Sequence, residues 1–474
     1  MRNGKMGIVI AFAACVLSGC GKRADSDEIA EDLNQYDIEA TGGDAETGDT
    51  KDIPAHINET IVGANGYEYV IDADVVSDGY DDAAVYEVTM PEVNDALVKK
   101  YADTLFDNSE YTVVKPYEIM SIEELQAEKA FLETLLEREK NGEITTPSQV
   151  FNNVCDIECY MNYDQEGVPD YVPKGQLLYE QVCTVYEDGQ DSTIVNDISR
   201  LRGKVDGEWW ELSLYSGRDG TCSITFLNLE FSKYAFSFVK MDEMSEVMYG
   251  TNASDRKECE KAADDFIAKL GYTDMGLAHT GNIVCEDRET LKNYLDGYRF
   301  AYSRNLEMQA GVSTQNMASL INPYESSEVY VYDIDSVMVN KQGAIQEYVW
   351  LAVTEGRVCA VRIDNIYDVG KKMSENTALL DFEQAMDVAR ETIKKKIDNY
   401  EPKTGSTEYT MTDIELRYIV IPYEEGRYSM VPVWMLYQDL DIGYSDERYV
   451  EFGVNAIDGS IVYFLSYGGA GYFW

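Results

Sequence analysis

Val454-Asn455-Ala456-Ile457-Asp458-Gly459-Ser460-Ile461-Val462 places an Asp-Gly pair between two short apolar runs. Such a pair marks a β-hairpin, because both turn residues must take positive φ and Gly and Asp tolerate it. Upstream lie Val431-Pro432-Val433-Trp434-Met435-Leu436-Tyr437 and a segment from Asp381 to Ile397, in which Ala385, Ala389, Ile393 and Ile397 recur every four residues. Gln384 stands three positions after Asp381, a helix-opening pattern. The spacing predicts one helix followed by antiparallel strands.

A second copy of that order is read further upstream. Residues 253–270 carry Cys259, Ala263, Phe266, Ile267 and Leu270 on one helical face and end at Gly271. Strands follow, closing on EYVWLAVTEGRVCAVRID with Glu355-Gly356 at its turn. A helix and an antiparallel meander, twice, predict a duplicated unit. The first globular stretch also mixes both elements. Pro91 is read as an early helical position, with Val93, Leu97, Tyr101 and Leu105 on one face, and Ser121 with Glu124 forms a capping box opening a helix to about Lys140. Alternating runs between 176 and 240 read as strands, one holding Trp209 and Trp210. The fold class expected is α+β, with helices packed on antiparallel sheets. The divisions expected are a leader at 1–20, an acidic linker without fixed structure at 21–60, an α+β domain at 61–240, and two similar units at 241–372 and 373–474.

The chain opens MRNGKMGIVIAFAACVLSGCGKRADSDE. Arg2 and Lys5 precede an apolar run from Met6 to Leu17, too short for the roughly 20 residues that span a bilayer. Leu17-Ser18-Gly19-Cys20 then resembles the lipobox of a bacterial lipoprotein signal peptide. That resemblance implies cleavage before Cys20 and a diacylglyceryl group on its sulfur, with two acyl chains sufficient for stable anchoring. Helix, VPVWMLY and VNAIDGSIV together resemble the PepSY-type and YycH/YycI-like modules of extracytoplasmic proteins of Firmicutes. The overall plan resembles uncharacterised lipoproteins of gut clostridia. These likenesses imply a cell-membrane location on the extracytoplasmic face and binding or regulation of an envelope protein or peptide. They carry over no catalytic residue.

Composition narrows the rest. Acids number 87 against 39 bases, and loss of residues 1–20 removes two bases and no acids, leaving 37 against 87, a balance of −50. Such a surface repels phosphate backbones, so nucleic acid is excluded as a partner. Only His56 and His279 are present, the first inside the expected linker and the second without a nucleophile motif nearby. H-E-x-x-H, P-loop and dinucleotide patterns are absent, so neither metal-assisted nor nucleotide-dependent catalysis has support, and no cofactor is expected. Asn162-x-Asp164-x-Glu166-Gly167 begins like a calcium loop, but its twelfth position is Pro173; Asp72, Asp74, Asp78, Asp81 and Asp82 lack ligand spacing. No metal site is expected. Besides Cys15 and Cys20, the cysteines are Cys155, Cys159, Cys183, Cys222, Cys259, Cys285 and Cys359, an odd and scattered set read mostly as buried free thiols. The reading is a non-enzymatic binding lipoprotein with an unassigned ligand site. Its alternative is a surface lipoprotein that binds carbohydrate or another solute through Tyr and Trp platforms, less readily one that cleaves glycans.

Overall fold

The computed structural model describes residues 53–162, 170–187, 190–216, 222–232, 235–239, 241, 243–287, 290, 292–310, 347–374, 377–398, 410–424, 427–439 and 448–463. Strands β1 (His56–Val62), β2 (Glu68–Val76) and β3 (Val85–Thr89) come first. Helix α1 (Asp95–Leu105), strand β4 (Tyr111–Val113) and helices α2 (Ile122–Lys140) and α3 (Ser148–Asn162) follow. Next run β5 (Asp170–Pro173), β6 (Tyr179–Glu187), β7 (Gln190–Val205), β8 (Glu208–Ser216), β9 (Cys222–Asn228) and β10 (Ala235–Val239). Helices α4 (Glu243–Tyr249) and α5 (Arg256–Lys269) lead into β11 (Met275–Glu286), β12 (Asn293–Arg304), β13 (Tyr348–Thr354), β14 (Arg357–Asp364) and β15 (Asp368–Ser374). Helix α6 (Phe382–Asp398) precedes β16 (Thr410–Glu424), β17 (Arg427–Asp439), β18 (Arg448–Asn455) and β19 (Ile461–Tyr463).

Two sheets result. The larger runs β10-β11-β12-β13-β14-β9-β8-β7-β6-β5 with β4 on β7; the smaller runs β1-β2-β16-β17-β18-β19, with β3 on β17 and β15 on β3. Among the described residues every strand pair is antiparallel except β2 with β16. The class is therefore α+β, as the patterning predicts. Helices α1 and α5 bury Leu97, Tyr101, Leu105, Cys259 and Phe266 on one face of the larger sheet, while α2 and α3 bury Leu132, Leu135, Val150 and Ile157 on the other. Trp210 and Trp209 point to opposite faces for the same period-two reason, the first buried near Phe266, the second edge-on to Phe131. Helix α6 covers the smaller sheet with Ala385, Ala389, Ile393 and Ile397 inward, the stripe its sequence predicts. Among the described residues no helix is long and apolar enough to cross a membrane.

Several expectations are corrected by local chemistry. Helix α1 starts at Asp95 rather than near Pro91, because the Asn94 side chain accepts the Ala96 and Leu97 amides and caps it there. The Ser121–Glu124 box is present as read. Glu355 and Gly356 both take positive φ and join β13 to β14 through a two-residue turn. Asp458-Gly459 does not make such a turn: Val454 pairs with Ile461, and the longer loop is held by Gly459 N–H to Asn455 O and by Asp458 on the Ser460 amide. The tight Asp-Gly turn is instead Asp206-Gly207 between β7 and β8, both at positive φ. His56 is not in a linker. It opens β1, five residues before the expected start of folded chain, because Ile57 finds a buried place under α6. Helix-then-meander order does recur, α5 with β11–β14 and α6 with β16–β19, but a duplicated unit is not shown. Strand pairing crosses both internal divisions expected, β9 with β14 and β3 with β15 and β17.

Candidate functional site

Two clusters of charged groups inside the fold pair arginines with carboxylates. Arg200 and Arg202 on β7 meet Glu211 on β8 at 2.7 and 2.8 Å, and Arg202 grips both Glu128 oxygens from α2 at 2.7 and 2.8 Å. Stacking of Arg202 on Phe131 and of Arg200 on Tyr117 completes a latch between sheet and helices. The arginines outweigh burial and hold Glu211 below the usual carboxylate range. A second cluster lies where the chain passes between sheets. Arg304 contacts both Glu347 oxygens at 2.5 and 3.2 Å, Asp274 at 2.5 Å and the Tyr367 carbonyl at 3.0 Å. Both arrangements are packed shut, which suits holding layers together.

The residues with candidate chemistry are not brought together. Cys20 and Asp164 and Glu166 lie outside the described residues. His279 sits within β11 opposite Ala301. Among the described residues no group of three His, Cys, Asp or Glu side chains is arranged to hold a metal ion. Ser223 donates to the buried Asp364 carboxylate, which also accepts from Arg362 Nε at 2.7 Å, so this hydroxyl faces a carboxylate already held by a cation. Trp210, Trp350 and Trp434 are buried and Trp209 packs on Phe131; among the described residues no Trp offers the open platform that sugar binding needs.

Thiols divide by burial. Cys222, Cys259, Cys285 and Cys359 form no disulfide and are buried, while Cys155 and Cys159 form no disulfide and are exposed on α3. Burial pushes the Cys222 thiol up to about 12, leaving almost no thiolate at neutral pH. In native protein a maleimide is expected to label Cys155 and Cys159 and to reach those four only after unfolding. Peptide mapping before and after denaturation checks this, and native labelling of Cys222 would contradict it.

What the fold leaves open is a strand edge. Edges invite pairing with another chain, and most are blunted by short length, Pro, Lys or irregular register. Strand β5 has four residues and ends in Pro173, β19 has three, β10 has a register shift, and β15 has two shifts and carries Lys371 and Lys372. Strand β1 instead holds seven consecutive pairs with β2, His56 opposite Asp74 through Val62 opposite Glu68, without a shift. Its hydrogen-bond phase is set at both ends. The Val75 amide donates to Ala55 O at 3.0 Å and the Gly63 amide to Tyr67 O at 2.8 Å. Odd-numbered residues therefore bond inward to β2, and His56, Asn58, Thr60 and Val62 direct N–H and C=O outward. No strand pairs with that side among the described residues.

The two faces of this edge differ. On the outer face His56, Asn58, Thr60 and Val62 are exposed, Val62 at 51 %. Behind them on β2 lie Asp74, Asp72, Val70 and Glu68. His56 Nδ1 meets Asp74 at 2.9 Å and Nε2 meets Asp72 at 3.0 Å; Asn58 donates to Asp72 at 3.1 Å. The bond to Asp74, reinforced by Asp72, raises the imidazole above its ordinary pKa despite some desolvation. On the inner face Ile57 and Ile61 pack on the α6 core, and Glu59 accepts from Arg390 at 2.8 Å. The period-two alternation of HINETIV was the signal for this strand; the acidic, Gly- and Thr-rich run before it masks it.

No family model matches the chain, and no curated protein matches it. Among solved structures it is similar to an uncharacterized protein from Eubacterium rectale, with a TM-score of 0.37, 12 % identity, and coverage of 86 % of this chain and 93 % of that one.

Proposed function

We propose that this protein is a lipid-anchored, extracytoplasmic, non-enzymatic lipoprotein, and that it binds or regulates an envelope protein or peptide by accepting an extended segment alongside β1. The observation that carries the reading is the seven-residue, shift-free edge with four outward backbone positions. Main-chain pairing supplies affinity in such strand addition, and the alternating side chains supply selectivity. The leader through Cys20 supports the location, and the likeness of residues 380–466 to PepSY-type modules supports a regulatory role at the envelope. Strand β1 begins 36 positions after Cys20, so an anchor there would make this edge the first part of the described chain after the membrane.

Proline at an outward position tests this. Asn58→Pro removes one outward N–H and no inward ladder bond, and edge strands tolerate such a residue. A photo-crosslinker at Thr60 in intact cells is expected to capture one envelope protein, and Asn58→Pro is expected to abolish capture while the unfolding midpoint changes little. Unchanged capture in the Asn58→Pro variant would overturn the strand-addition reading. Cys20→Ser is expected to shift the protein from the membrane fraction to the unprocessed or released pool, and retention of a palmitate-labelled chain would refute the anchor.

A further inference from the structure

We infer that the segment accepted by β1 is cationic at every second residue and apolar between, an inference that rests on the strand-addition reading above. A strand added to β1 lies about 5 Å from it and about 10 Å from β2. On the outer face its side chains would stand beside His56, Asn58, Thr60 and Val62, with Asp74, Asp72 and Glu68 one strand further in. Lysine and arginine stems bridge that gap while their heads reach the carboxylates. One strand beyond, Asp413 pairs with Asp74 and extends the acidic row. On the inner face the same strand would meet Ile57 and Ile61 on either side of the Glu59–Arg390 pair, a surface suited to apolar side chains.

Charge argues against the two occupants nearest to hand. Residues 21–52 of this chain hold eleven acids and three bases, so folding them back onto the edge would set like charge against like. A second copy brings a net charge of −48. Its antiparallel self-pairing joins outward positions 56 with 62 and 58 with 60, which puts Glu59 directly against Glu59. A foreign basic segment meets neither obstacle.

The test uses the full chain in detergent and nine-residue peptides that alternate lysine or glutamine with valine, read by fluorescence anisotropy. The lysine peptide is expected to bind at least tenfold more tightly at low salt, with the difference shrinking as salt screens the carboxylates. Asp72→Asn with Asp74→Asn is expected to erase the difference, and Asn58→Pro to remove binding of both peptides. Equal binding of the two peptides would overturn the charge inference and leave strand addition standing. Lysine-peptide binding that survives Asn58→Pro would mean attraction elsewhere on the acidic surface and would overturn the inference. If neither peptide binds, both readings fall.

Discussion

Above pH 7, where Glu347 is ionised against Arg304, Glu347→Ala is expected to lower unfolding free energy by about 3–5 kcal/mol, the cost of leaving one partner of a buried ion pair alone. The Glu347 carboxylate holds Arg304 at two points and accepts the Tyr367 amide at 3.3 Å, while Asp274 and the Tyr367 carbonyl engage the rest of the guanidinium. Removing Glu347 strands a charge where the chain crosses from β12 toward the second sheet. Replacing both members, Arg304→Met with Glu347→Leu, should cost less than Glu347→Ala alone, because the one charge left without its partner, Asp274, is a third exposed and can be hydrated. Equilibrium denaturation of the single and double variants gives the comparison, and an additive double variant would contradict it. Burial pushes the Glu347 carboxyl up to about 7 against the opposing pull of Arg304. Between pH 4.5 and 7 the folded protein therefore keeps a proton that the unfolded chain has released. The stability so contributed is full below about 4.5 and lost as pH rises through 7. The advantage of the natural protein over Glu347→Gln should shrink by something on the order of 3 kcal/mol across that window. A flat profile would show that Glu347 ionises at its ordinary value in the folded protein, and an advantage that grows with pH that it ionises below it.

Trp434→Ala is the second large effect, expected at about 3–5 kcal/mol. Trp434 is 1 % exposed on β17, with its ring 4.9 Å from Phe382 in a T-shaped contact and 6.3 Å from Tyr80. Those partners come from α6 and from the turn between β2 and β3, so the indole joins the N-terminal strands to the C-terminal sheet. Truncation leaves a cavity that three separate elements would have to collapse to fill. Val247→Ala on α4 is the matched control: Val247 is 80 % exposed, and its loss should change stability by less than about 0.5 kcal/mol. Comparable losses at the two positions would show that α6 is not held down through Trp434.

Local chemistry made much of the secondary structure legible. Capping at Ser121, the four-residue apolar stripes of α5 and α6, and the Glu355-Gly356 turn all depend on residues within a few positions of one another. Helix α3 was less legible, since its outer face carries Phe151, Cys155 and Cys159 and blurs the polar side of the pattern. Asp206-Gly207 had the same turn chemistry as Asp458-Gly459, yet only the first closes in two residues. The flanking strands choose between them: β7 and β8 pair up to Val205 and Glu208, whereas β18 stops at Asn455.

The candidate edge belongs to the other category. HINETIV alternates with period two but over too few apolar residues to stand out from the acidic run before it, and pairing with β2 and cover from α6 over Ile57 complete the strand. Neither His56 beside Asp72 and Asp74, nor Glu59 beside Arg390 some 330 positions later, could be placed together from spacing alone. The order of residues by itself determined the acidic balance, the α+β class and most helix faces, because charge, hydropathy and capping act over short range. Which strand ends the smaller sheet, which of its backbone groups face outward, and where the buried arginines find their carboxylates were decided only in three dimensions, since strand pairing and desolvated ion pairing join residues the chain itself holds far apart.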